Sequence, residues 1–263
     1  MIAQYDVDRA DQRAMLLRHT PTVEALPRRT VYGDAPRLIP FGEQFPDKLI
    51  DPKDYKEVIA HCHEAQIFPI YHQHATWAPP GFVWDQDGLG YCWTWGGTAA
   101  YMDLLAREGK PVPLLSPVSM GYLVNWRNEG NYLESMIKGL MDHGVCEASY
   151  VPSPHSRDYK NYKSGWEANA LTHRLGEAWD CDNGSDAKMI QHSISILATG
   201  TPTYLAYNWW GHALMCCGVR WTEDQVNNLT WIIRNSHAED DVIEMVGNKA
   251  VFDEAYGFRA SLN

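Results

Sequence analysis

Residues Asp85–Gly97 read DQDGLGYCWTWGG. An acidic, glycine-rich turn gives way at Cys92 to aromatic and small residues, and the apolar texture continues to Arg107, with Gly109 just beyond. That pattern predicts a helix opening at Cys92 and closing at Arg107. A thiol at a helix N-terminus meets unpaired amides that favour its thiolate, the reactive form. The plain alternative is a buried structural cysteine. Gly96 and Gly97 cost a helix roughly 1 kcal/mol each relative to alanine, so something must pack closely on that turn.

Outward from this stretch, the apolar periodicity predicts further helices. One follows Asp51-Pro52, with Tyr55, Val58, Ile59 and Cys62 on one face; another follows Ser116-Pro117. A third spans Tyr132 to His143, before Gly144. The next is capped by Ser185, carries Ile190, Ile194 and Leu197 on one face, and ends at Gly200. Beyond Gly200 the texture changes to short β-rich or continuously apolar runs: TPTYLAYN, HALMCCGV and LTWIIRN. Helices first and strands later predict an α+β fold, with a helical half and an antiparallel sheet half. Residues 1–75, polar and rich in Pro and Arg, read as an N-terminal arm or lid, and 76–263 as the compact domain.

A nucleophilic thiol needs a base. His212 stands out among 11 histidines because it begins a buried run. If HALMCCGV and LTWIIRN form a hairpin across RWTEDQVNN, pairing Val219 with Asn228 sets Asn235 opposite His212. An Asn amide oxygen there orients the imidazole and leaves its other nitrogen for a thiol.

The chain resembles the papain-like (C1-type) cysteine peptidases. Leu89-Gly90-Tyr91-Cys92-Trp93 matches the surroundings of the family's nucleophile, and Gln86 precedes Cys92 by six residues, as the family's oxyanion-hole glutamine does. LLSPVSMGYLV and NEGNYLESMIKGLMDHGV resemble the family's Leu-Ser segment and its glycine pair, helix and turn, with Gly130 at the second glycine. The His-Ala and Asn-Ser strands follow in order. His212 and Asn235 stand 120 and 143 positions after Cys92, near the roughly 130–150 of the family. The match runs from about Trp77 to Glu244.

The resemblance implies a two-lobed fold with a cleft between helical and sheet lobes, and a hydrolase cutting peptide or amide bonds through an acyl-enzyme on Cys92. His212 is the implied partner of the thiolate, Asn235 orients it, and Gln86 with the Cys92 amide makes the oxyanion hole. Gly130 lets an extended substrate approach. No cofactor or metal is implied. The sequence also departs from the family. Leu89 replaces the first signature cysteine, and Arg127 stands near its disulfide partner's place, so that bridge is absent. His237 replaces the tryptophan that follows Asn-Ser and shields the His–Asn bond. The rival expectation is a papain-fold structural or binding component of a larger assembly, such as a virion.

A net charge of −11 with no basic tract disfavours nonspecific nucleic-acid binding. No apolar run approaches the ~20 residues of a membrane span, and MIAQYDVDRADQRAM has no signal-peptide pattern. Six cysteines without CxxC spacing read as free thiols, in a reducing compartment or a viral particle. Cys216 and Cys217 are expected on opposite faces of a strand. HCHEAQIFPIYHQH offers His61, Cys62, His63, Glu64, His72 and His74 as zinc-ligand types. Their spacing matches no common finger, and a helix there turns Cys62 away from His61 and His63. The expected partners are a peptide or protein substrate, and a protein or assembly docked through the arm.

Overall fold

The computed structural model describes residues 2–17, 49–72, 84–125, 130–181, 185–223, 225–237 and 242–262. The proline-rich stretch 26–46, His74, Arg127 and the acidic run 238–241 lie outside them. In chain order the elements are β1 (Ala3–Asp6), α1 (Ala10–Leu17), α2 (Tyr55–Glu64), α3 (Cys92–Arg107), α4 (Pro117–Leu123), α5 (Leu133–Asp142) and α6 (Trp166–Ala170). Then come β2 (Leu175–Asp180), α7 (Asp186–Leu197), β3 (Thr203–Tyr207), β4 (His212–Trp221), β5 (Leu229–Arg234), β6 (Val242–Val246) and β7 (Glu254–Ser261).

The helices end where local chemistry ends them. Pro117 opens α4 with the fixed φ that a first turn accepts. The Ser185 hydroxyl accepts the Lys188 amide at the start of α7. Asp51 caps a short 3₁₀ turn, Pro52–Asp54, that leads into α2. Tyr55, Ile59 and Cys62 of α2 are buried as their spacing predicts.

The strands form one sheet in the order β1-β6-β5-β4-β3-β7-β2. Its pairs are antiparallel except at one edge, where β1 joins β6 in parallel. This parallel edge departs from the antiparallel expectation, because β1 comes from the far end of the chain and needs no hairpin. Residues 3–6 thereby cover an edge that β6 would otherwise expose.

Two cores flank the sheet. Ala213, Met215 and Cys217 of β4 face the helical lobe, joining Trp93, Met102, Met136 and Leu140. Leu214 and Cys216 face the second core, with Ile59 of α2 and Ile194 of α7. The adjacent cysteines therefore do point to opposite faces, and none of the six cysteines is in a disulfide.

Candidate active site

α3 carries Cys92 at its first position, and its approach to the sheet is set by glycine. A Cβ on Gly96 would stand 3.0 Å from the backbone N, Cα and C of Leu214, while one on Gly97 would stand 2.4 Å from Met136 Cγ. Gly96 thus lets the first turn of α3 lie directly on β4, and Gly97 lets α5 close from the other side. The Tyr204 hydroxyl donates to the Trp93 carbonyl at 2.7 Å, tying β3 to the same turn. One turn before Gly96 lies Cys92, whose sulfur accepts from the Ala213 backbone amide.

His212 Nε2 and Asn235 Oδ1 are 3.0 Å apart, and both residues are buried, 1% and 2% exposed. The amide oxygen can only accept, so Nε2 carries the proton. His212 Nδ1 is buried and makes no hydrogen bond among the described residues. The bond arises from a register other than the expected one. Met215 pairs with Arg234 and Cys216 with Ile233, a bulge intervenes before Gly218, and Val219 pairs with Trp231. Continuing this ladder sets Asn235 beside Leu214, not His212. Residues two apart on a strand share a face, so the two side chains still meet on the diagonal.

Ser236 reaches the other way. Its hydroxyl donates to Gln86 Oε1 and its carbonyl accepts the Gln86 amide at 2.9 Å. With Oε1 held there, the Gln86 amide orientation is fixed and Nε2 donates to the Leu89 carbonyl at 2.6 Å. The Asn235-Ser236 dipeptide therefore orients both His212 and Gln86. Gly130, at φ +77, occupies a backbone region that favours glycine. The segment Asn131–Leu133 after it lines a shallow cleft with His212, Ala213 and Glu254.

No protein-family model matches the chain, and no curated protein matches it. Solved structures do. Xylellain, a cysteine protease from Xylella fastidiosa, is 19% identical, covers 84% of this chain and 97% of its own, and has a TM-score of 0.54. A digestive procathepsin L 3 from the Tenebrio molitor larval midgut is 13% identical, with 93% and 78% covered and a TM-score of 0.56. The ragweed pollen cysteine protease Amb a 11, in its proform, gives 13%, 96% and 72%, and 0.57. The chain has a papain-like fold.

In this papain-like frame, Cys92 and His212 are both buried, 5% and 1% exposed, and the Ala213 amide that faces the Cys92 sulfur follows His212 in β4. Burial pushes the Cys92 thiol up to about 11, while the amides of Ala213, Trp93 and Cys92 itself pull it down. Burial also holds His212 well below the ordinary imidazole value, helped by His237 and opposed by the Asn235 bond.

His212 is also covered in a way the sequence did not reveal. The His237 ring lies 4.8 Å from that of His212, and the Trp210 ring lies 4.6 Å from it on another side. The shield expected after Asn-Ser is thus supplied in part from the turn before His212. The run Trp209-Trp210-Gly211-His212 was the available signal. The histidine-rich stretch divides its members. Cys62 enters the core, His63 bonds Tyr71 and the Val219 carbonyl, and His72 bonds the Gln66 carbonyl. No group of three or more metal-ligand types gathers among the described residues.

Proposed function

We propose that the chain is a papain-family cysteine hydrolase that cleaves peptide or amide bonds through an acyl-enzyme on Cys92. The observation that carries this reading is the polarity of His212. Its Nε2 proton is held by Asn235, which leaves Nδ1 as a buried base without a hydrogen bond among the described residues. Cys92 opens α3, and its sulfur accepts from the amide of Ala213, the residue after His212.

His212 Nδ1 takes the thiol proton, and the sulfur attacks the substrate carbonyl carbon. The oxyanion is received by the Cys92 amide and the second N–H of Gln86 Nε2, donors each typically worth about 3 kcal/mol. His212 returns its proton to the departing amine nitrogen as the C–N bond breaks and a thioester remains. Water then attacks the thioester, giving a proton to His212, and the acid leaves with the thiolate restored. Substrate backbone runs past Gly130, and the cleft beside His212 takes a neighbouring side chain.

One observation favours the rival, a catalytically silent papain-fold component of an assembly: Gln86 Nε2 already bonds Leu89. The chain supplies its own control. Burial pushes the Cys146 thiol up to about 11 as it does Cys92, so Cys146 is a buried thiol with no imidazole role in the proposal. The hydrolase reading expects iodoacetamide at pH 6 to modify Cys92 far faster than Cys146 or Cys181, and His212→Ala to erase the difference. Equal rates at the three cysteines in the folded protein establish the silent component instead.

A further inference from the structure

The turn that carries Gln86 is not held by its own backbone preferences. Asp87 adopts φ +47 and Gly88 φ +67, and for a non-glycine residue the left-handed region is unfavourable. Local bonds help: Asp85 Oδ1 accepts the Asp87 amide at 2.8 Å and the Gln86 carbonyl accepts the Leu89 amide at 3.0 Å. Ser236 restrains the turn from the sheet side.

From the helical lobe, one side chain touches both neighbours of Gln86. His155 Nε2 lies 2.9 Å from the Asp85 carbonyl, and Nδ1 lies 4.0 Å from Asp87 Oδ2. A carbonyl only accepts, so Nε2 is the protonated nitrogen. The ring lies flat on Trp95, with centroids 6.1 Å apart and planes within 4°. Trp95 is three residues past Cys92 on α3, so the imidazole joins the Gln86 turn to the nucleophile's own helix. His155 is itself anchored, since the Tyr162 hydroxyl donates to the next carbonyl, of Ser156, at 2.6 Å.

We propose that His155 is a positioning residue for the Gln86 oxyanion donor, clamping the Asp85–Asp87 turn onto Trp95 so that the Gln86 amide is presented in one orientation relative to Cys92. This rests on the hydrolase reading and adds to it a residue that touches neither substrate nor nucleophile. The clamp accounts for how a turn with two consecutive left-handed residues holds a buried amide in place. It also requires a donor at Nε2 beyond the ring on Trp95, which separates it from simple packing.

The experiment uses the full chain and two variants. His155→Phe keeps a flat ring on Trp95 and loses the donor; His155→Gln keeps a donor near Nε2. Three readouts are taken: turnover of an N-acyl amino-acid p-nitrophenyl ester, iodoacetamide alkylation of Cys92, and hydrogen exchange at the Gln86 and Leu89 amides. Alkylation forms no oxyanion, so it reports the thiol alone. Outright loss of an oxyanion donor lowers kcat by roughly 10²–10³, and a loosened donor is expected to lose about tenfold. His155→Phe should therefore lower kcat about tenfold with KM and alkylation within about twofold, and exchange at the two amides should quicken. His155→Gln should recover most of kcat. Equal falls in kcat and alkylation, or unchanged exchange, overturn the proposal. If the wild-type chain neither turns over ester nor alkylates at pH 6, the hydrolase reading fails, and exchange at Gln86 and Leu89 alone decides whether His155 holds the turn.

Discussion

Replacing Gly96 by alanine tests whether the close approach of α3 to β4 positions Cys92. The added methyl would sit 3.0 Å from three backbone atoms of Leu214, 0.4 Å closer than the 3.4 Å at which ordinary contact begins. Backbone within a seven-stranded sheet does not yield, so the helix must back away. Overpacking of this kind costs about 1–3 kcal/mol, and alanine regains about 1 kcal/mol of helix propensity, leaving a net loss of about 0–2 kcal/mol. Cys92 moves with the helix. Scaled from the hundredfold loss typical of a 1 Å misplacement, 0.4 Å slows its reaction roughly sixfold. Gly97→Ala is the control. Its methyl meets the Met136 side chain at 2.4 Å, a harder clash that faces α5 and leaves β4 alone. Urea unfolding and iodoacetamide kinetics at pH 6 should therefore cross over, Gly97→Ala losing more stability and Gly96→Ala more reactivity. Wild-type alkylation by a well-folded Gly96→Ala protein refutes the reasoning, as does a slower Gly97→Ala.

Removing the Ser236 hydroxyl frees Gln86 Oε1 while leaving the His212–Asn235 bond, so Ser236→Ala should lower ester turnover about tenfold at an unchanged alkylation rate; equal effects on both would sink this division of labour. Trp210→Ala opens a buried face of His212 and should cost about 3–5 kcal/mol in urea unfolding, as large aromatic truncations do; a loss below about 1 kcal/mol would show that the indole does not pack as described. Burial lowers the values of His63, His173, His192 and His212. Below about pH 6.5 the unfolded chain binds protons that these folded imidazoles refuse, so stability should fall as pH drops from 7 to 5. A denaturation midpoint that rises over that interval contradicts the sign.

Helix boundaries were legible in the sequence because capping and periodicity act within a few residues. The range expected for α3, Cys92 to Arg107, is the range observed, and Gly96 marked a close contact before its partner was known. Tertiary structure alone decided the rest. The β4–β5 register turned on a bulge at Cys217 that loop length does not encode, so Asn235 reaches His212 from a diagonal position. The parallel β1 edge, the Trp210 cover and the His155 contact join segments whose pairing no local pattern specifies. Gln86 and Ser236, 150 positions apart, show why: local chemistry chooses the residue types, but only packing of the two lobes brings their atoms within bonding distance.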